Sequence, residues 1–105
     1  MHCIRFYVGL AAIGDRHSAE AIRETVEEIS CAIRGVTVVH RARGGWLDSS
    51  DKLHNEPSAV FEIITNYDAV VINSIGSWLV ERFRQQEVLI TSHSVDNYSI
   101  VRKER

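Results

Sequence analysis

The densest collection of polar side chains in this sequence surrounds a glycine pair near its middle. Arg41 and Arg43 lead into Gly44-Gly45-Trp46, and Asn55, Glu56 and Ser58 follow a polar interval. Guanidinium groups hold phosphate through paired, charge-assisted hydrogen bonds. An indole ring stacks on a base, and amide or carboxylate groups read ribose or base edges. Tyr7 offers a second ring near the start of the chain, and Gln86 and Arg102 add polar groups near its end. These types suit a pocket for a small anionic, nucleotide-like ligand. Arg41 and Arg102 would take phosphate, Trp46 or Tyr7 would stack, and Asn55, Glu56 and Gln86 would supply polar recognition. Each also has a plainer use. Trp46 can pack a hairpin, Glu56 can anchor the strand start before Pro57, and the arginines can be solvated charges at a sheet edge.

No nucleophile, base and orienting group form a recognisable catalytic set. His17, His40, His54 and His93 lack the spacing of metal ligands. Gly44-Gly45 runs into Trp46 where a phosphate-binding loop has lysine and serine or threonine. Cys3 and Cys31 have no metal-like separation and are expected as two buried thiols in a reducing cytoplasm. The reading is a binding protein and not an enzyme, with no cofactor and no metal. The enzyme alternative is a small isomerase or monooxygenase with His40 and His93 as proton carriers. A purely structural or assembly role is the other alternative.

Residues 3–10 alternate, with Ile4, Phe6, Val8 and Leu10 on one face, and a period of two makes a strand. Gly14-Asp15 marks a turn, and Ser18 is a candidate N-cap. Ile22, Val26, Ile29 and Ile33 then recur at helical spacing, and Gly35 would close that helix after Arg34. Residues 36–43 are rich in β-branched types and predict a second strand. Residues 44–57 read as a long hairpin arm with its tip at 49–51, and residues 58–65 as a third strand. Asn66-Tyr67-Asp68 offers caps for a second helix over 69–84, with Val71, Ile75, Trp78 or Leu79, and Phe83 on its apolar face. Gly76 inside that helix costs about 1 kcal/mol against alanine and implies a close crossing over the sheet. Residues 87–92 predict a fourth strand and 98–101 a short fifth.

This β-α-β-β-α-β order is that of a ferredoxin-like α+β domain, an antiparallel sheet with both helices on one face. Its other face, where Tyr7, Thr37, Val39 and Arg41 can point, is left uncovered, so a homo-oligomer is expected. The tail carrying Arg102 could cross to a neighbouring subunit.

With 105 residues, 45% of them hydrophobic and a formal charge of −2, the chain supports one folded domain. The near-even charge excludes the basic footprint that duplex nucleic acid needs. No window reaches the ~20 apolar residues of a membrane span, and the start does not read as a secretory signal. A cytoplasmic protein with no membrane partner is expected.

Several segments resemble a family of small phage proteins. They are Phe6-Tyr7-Val8-Gly9-Leu10, Gly35-Val36-Thr37-Val38, Gly45-Trp46-Leu47-Asp48 leading to Glu56-Pro57-Ser58-Ala59-Val60, and Gln85-Gln86-Glu87-Val88-Leu89-Ile90. The layout is similar to that of the phage anti-Thoeris proteins of the Tad1 type. That resemblance implies an oligomeric sponge that sequesters cyclic ADP-ribose-type signals or cyclic oligonucleotides without cleaving them, in the host cytoplasm. Where those proteins often carry asparagine before the third strand, this chain has Glu56-Pro57, with Asn55 one residue away.

Overall fold

The computed structural model describes residues 1–33 and 37–103, without the side chains of residues 37–42 and Trp46. The elements run β1 (His2–Gly9), α1 (Asp15–Ile33), β2 (Thr37–Leu47), β3 (Leu53–Thr65), α2 (Ala69–Arg82) and β4 (Leu89–Ser94). The sheet is antiparallel in the order β2-β3-β1-β4, which is the ferredoxin-like arrangement with both helices on one face.

The alternation of β1 is realised directly. Ile4, Phe6, Val8 and Leu10 are buried, and they meet Ala59, Phe61 and Ile63 of the paired β3. Phe61 packs against Phe83 at the end of α2, ring centroids 6.0 Å apart and tilted by 52°. Burial of each such large side chain stabilises by about 1.5–3 kcal/mol.

Both helices turn a somewhat different face to the sheet than their aliphatic residues predict. In α1 the buried line is Ser18, Ala21, Thr25 and Ile29, while Ile22, Val26 and Ile33 flank it half-buried. Small side chains let the helix approach the sheet, and the larger ones fill the margins. Thr25 is satisfied there by donating to the Ala21 carbonyl at 2.7 Å. In α2 the line is Ile72, Gly76, Leu79 and Phe83, with Val71, Ile75 and Trp78 beside it. A Cβ on Gly76 would stand 2.8 Å from Ile90 Cδ1 of β4, the close crossing that the glycine implied.

Several boundaries move. The first helix begins at Asp15, after Gly14 turns the chain with φ 74. Ser18 is therefore inside the first turn, donating to the Gly14 carbonyl at 2.8 Å, and is not its N-cap. Asp68 does cap α2, accepting from the Val71 amide at 3.1 Å. The expected end of α1 at Arg34-Gly35 lies outside the described residues. The arm is not separate from the sheet, since β2 and β3 pair out to Leu47 opposite Leu53, with one register shift between His40 and Ala42. The fourth strand is displaced two residues along, and residues 98–101 form no fifth strand. The ladder ends instead near Val95, whose amide donates to the Met1 carbonyl at 2.9 Å. Tyr98, Ile100 and Val101 are left exposed. Cys3 is buried as expected, but Cys31 is exposed, because it falls on the outer side of α1.

Candidate functional site

Side chains at alternate positions of β3 share a face. Ala59, Phe61 and Ile63 turn toward the helices, so Glu56, Ser58, Val60, Glu62 and Ile64 occupy the open face. Register puts Gly9 of β1 beside Ser58 on one flank of β3, and Gly44 of β2 beside Glu56 on the other. Two glycines thus border the same stretch, and the side chains they lack leave a depression that neighbouring side chains enter. β4 reaches only as far as Leu89 opposite Tyr7, so Gly9 lies beyond its end. The turn after α2 comes in there.

Two side chains converge on this spot. A Cβ built on Gly9 would stand 2.6 Å from Glu56 Oε1 and 2.7 Å from Gln85 Oε1. Both residues are half-buried. Gln85 spends its amide on the Phe83 carbonyl, donating from Nε2 at 3.1 Å, so its oxygen is what faces the depression. Glu56 has no hydrogen bond or ion pair among the described residues. Ser58 Oγ is nearby, 3.0 Å from where a Cβ on Gly44 would be. Two acceptor oxygens over the buried Gly9 and a nearby hydroxyl are groups that can accept hydrogen bonds from a cationic or donor-bearing group.

Further down the open face, Arg5 pairs with Glu62 through Nε at 2.7 Å. The hydrogen bonds that Arg5 donates to Glu62 and, next in effect, to Tyr7 hold its guanidinium still more firmly charged than usual. Tyr7 is half-buried between that pair and Gly9 in the strand order. Burial, reinforced by the negative charge of Glu62, pushes the Cys3 thiol up, which makes it a poor nucleophile.

The residues singled out by type are only partly brought together. Glu56 and Tyr7 share the open face. Asn55 lies on the other side of β3 and is exposed, opposite Gly45. Trp46 pairs with His54 in register and not with Asn55 or Glu56; its side chain, like that of Arg41, lies outside the described residues. Arg43 is exposed. Gln86 is exposed, whereas its neighbour Gln85 points into the depression. Arg102 sits on the exposed tail beyond β4. Gly9 carried no sign of chemistry in the sequence, because a glycine contributes by absence. Its position at the end of an alternating strand was the available signal.

At the arm tip, His54 Nε2 and Asp48 Oδ2 are 2.8 Å apart, and Asp48 Oδ1 accepts from the Ser50 and Lys52 amides. These bonds, that to His54 first, hold the Asp48 carboxyl below its usual range. Among the described residues no group of three or more His, Cys, Asp or Glu is placed to hold a metal ion. No described helix is long and apolar enough to cross a membrane.

The fold defines a ferredoxin-like α+β domain in which two acceptor oxygens gather over Gly9, where the open sheet face meets the α2–β4 turn. Solved structures with this fold include a phage SAM lyase in complex with S-methyl-5′-thioadenosine. It is 20% identical, with a TM-score of 0.68 over 88% of this chain and 79% of that one. The apo phage SAM lyase is similar over 99% of this chain and 91% of its own, with a TM-score of 0.67. CutA from Xylella fastidiosa is 15% identical, with a TM-score of 0.61 over 93% of this chain and 86% of that one. No family model and no curated protein sequence matches the chain. The likeness is one of fold, shared with a phage protein.

Proposed function

We propose that this chain binds a sulfonium nucleoside of the S-adenosylmethionine type in the Gly9 depression and promotes its cleavage to a thioether nucleoside. The observation that carries this reading is the convergence of Glu56 Oε1 and Gln85 Oε1 on the bare backbone of Gly9. A carboxylate attracts a cation and repels phosphate, so the site favours a sulfonium or ammonium group over a cyclic phosphodiester. Support for the nucleoside part comes from the fold likeness to a phage SAM lyase in complex with S-methyl-5′-thioadenosine. As the carbon–sulfur bond breaks, the substrate's own carboxylate oxygen bonds to the departing carbon and closes a lactone, and sulfur leaves with the electron pair as a neutral thioether, so no acid is required. Such a site needs a shaped recess and a well-placed carboxylate, and no catalytic triad. That is consistent with a sequence that spells none.

A second reading is retention of an intact cyclic nucleotide, as the anti-Thoeris resemblance implies. The exposed Arg43 on the arm favours it. In either case the proposed working unit is a homo-oligomer, for the chain exposes Leu47, Leu53, Ile64 and Leu89 on the arm and the open face. Incubation with S-adenosylmethionine, followed by mass spectrometry, tests the cleavage reading. S-methyl-5′-thioadenosine should accumulate, and Glu56→Gln should slow it at least 100-fold. Persistence of the intact substrate would overturn it. Tight retention of a cyclic ADP-ribose isomer or cyclic oligonucleotide, released unchanged on heating, would establish the second reading instead.

A further inference from the structure

We infer that Arg84 is a positioning residue for this site, its left-handed backbone aiming the side-chain carbonyl of Gln85 at Gly9. The inference rests on the reading of the Gly9 depression as the ligand site. Arg84 has φ 53 and follows Phe83, the C-cap of α2. The helix closes there by two bonds, Arg84 N–H to the Glu81 carbonyl at 3.2 Å and Gln85 N–H to the Val80 carbonyl at 2.9 Å. This is the geometry in which glycine is preferred, since a Cβ crowds the backbone in the left-handed region.

Here the position is held by arginine. Its side chain is exposed and makes no hydrogen bond or ion pair among the described residues. Among the described residues no hydrogen bond or ion pair of the guanidinium offsets the strain. What the conformation achieves is visible one residue further on. Gln85 folds back so that Nε2 donates to the Phe83 carbonyl, and Oε1 is left facing Gly9. The recess therefore presents an acceptor, not a donor, at this point. A residue with a Cβ samples fewer backbone states than glycine, so Gln85 is aimed before any ligand arrives. Strained backbone of this kind gathers at ligand sites.

Arg84→Gly and Arg84→Asn separate the possibilities, with S-adenosylmethionine as the probe. Glycine relieves the strain, so its thermal midpoint should equal or exceed that of the parent while KM rises at least fivefold. Asparagine tolerates the left-handed region and keeps a Cβ, so its KM should stay within twofold. Equal losses in both variants would overturn the inference by showing that the guanidinium itself meets the ligand. No loss in either would overturn it too. A readout without ligand keeps the two claims apart. Hydrogen exchange of the Gln85 side-chain amide, followed by NMR, should quicken at least fivefold in Arg84→Gly, and unchanged exchange would sink the positioning role. Failure of the parent protein to consume S-adenosylmethionine would overturn only the cleavage reading.

Discussion

Gly9 makes the site by lacking a side chain, and this gives the sharpest test at the scale of single residues. A methyl group there would stand 2.6 and 2.7 Å from Glu56 Oε1 and Gln85 Oε1. Both atoms are the ends of flexible side chains and can swing away. Gly9→Ala should therefore cost under about 1 kcal/mol of stability, within the range of mild substitutions, yet abolish ligand binding. Chemical denaturation and calorimetry on the same variant would expose a large stability loss if the glycine were structural. Asp48 allows a pH test. Its carboxyl is held below the ordinary aspartate value in the folded arm, so its contribution to stability is complete above that ordinary value. It is lost as pH falls through the depressed one. The Ser50 and Lys52 amide resonances should shift together over that acid range, and Asp48→Ala should remove the shift.

At the scale of elements, α2 is seated by Gly76 against Ile90, with 2.8 Å between a would-be Cβ and Ile90 Cδ1. Gly76→Ala gains about 1 kcal/mol of helix propensity and loses about 1–3 kcal/mol by overpacking. Removing the Ile90 δ-methyl clears the space. Ile90→Val should therefore be less costly in the Gly76→Ala background than in the parent, by about 0.5 kcal/mol or more in a double-mutant cycle. Additive effects would mean that α2 rises off the sheet instead. The same contact bears on the site, since the turn that carries Gln85 leaves the end of α2 and enters β4 beside it.

At the scale of the molecule, the arm draws the chain out to 56 × 28 × 23 Å with a radius of gyration of 15.1 Å. A compact domain of this length has a radius near 13 Å. Leu47 and Leu53 face each other across the exposed arm end, 61% and 56% accessible, and contribute little to the isolated fold. Under the oligomer proposal, replacing both with lysine should shift sedimentation toward a monomer while the monomer's own fold persists by circular dichroism. An unaltered sedimentation coefficient would remove the arm from the interface.

The sequence by itself determined the order of elements, the strand alternation of Ile4, Phe6, Val8 and Leu10, a helix cap within Asn66-Tyr67-Asp68 and the close crossing at Gly76. These are local, because periodicity, capping chemistry and glycine in a helix act within a few residues. It also marked Glu56 as a candidate from its residue type. The tertiary structure decided which helix faces are buried, turning Ser18, Ala21, Thr25 and Ile29 of α1 inward. It decided that Glu56 shares its face with Gly9 and not with Asn55, a matter of strand parity and register. It also decided that Gln85 Oε1 comes up against Gly9 while Gln86 is exposed. Positions 9, 44, 56 and 85 of the proposed site are far apart in the chain, and only the pairing of β1, β3 and β2 with the turn after α2 gathers them.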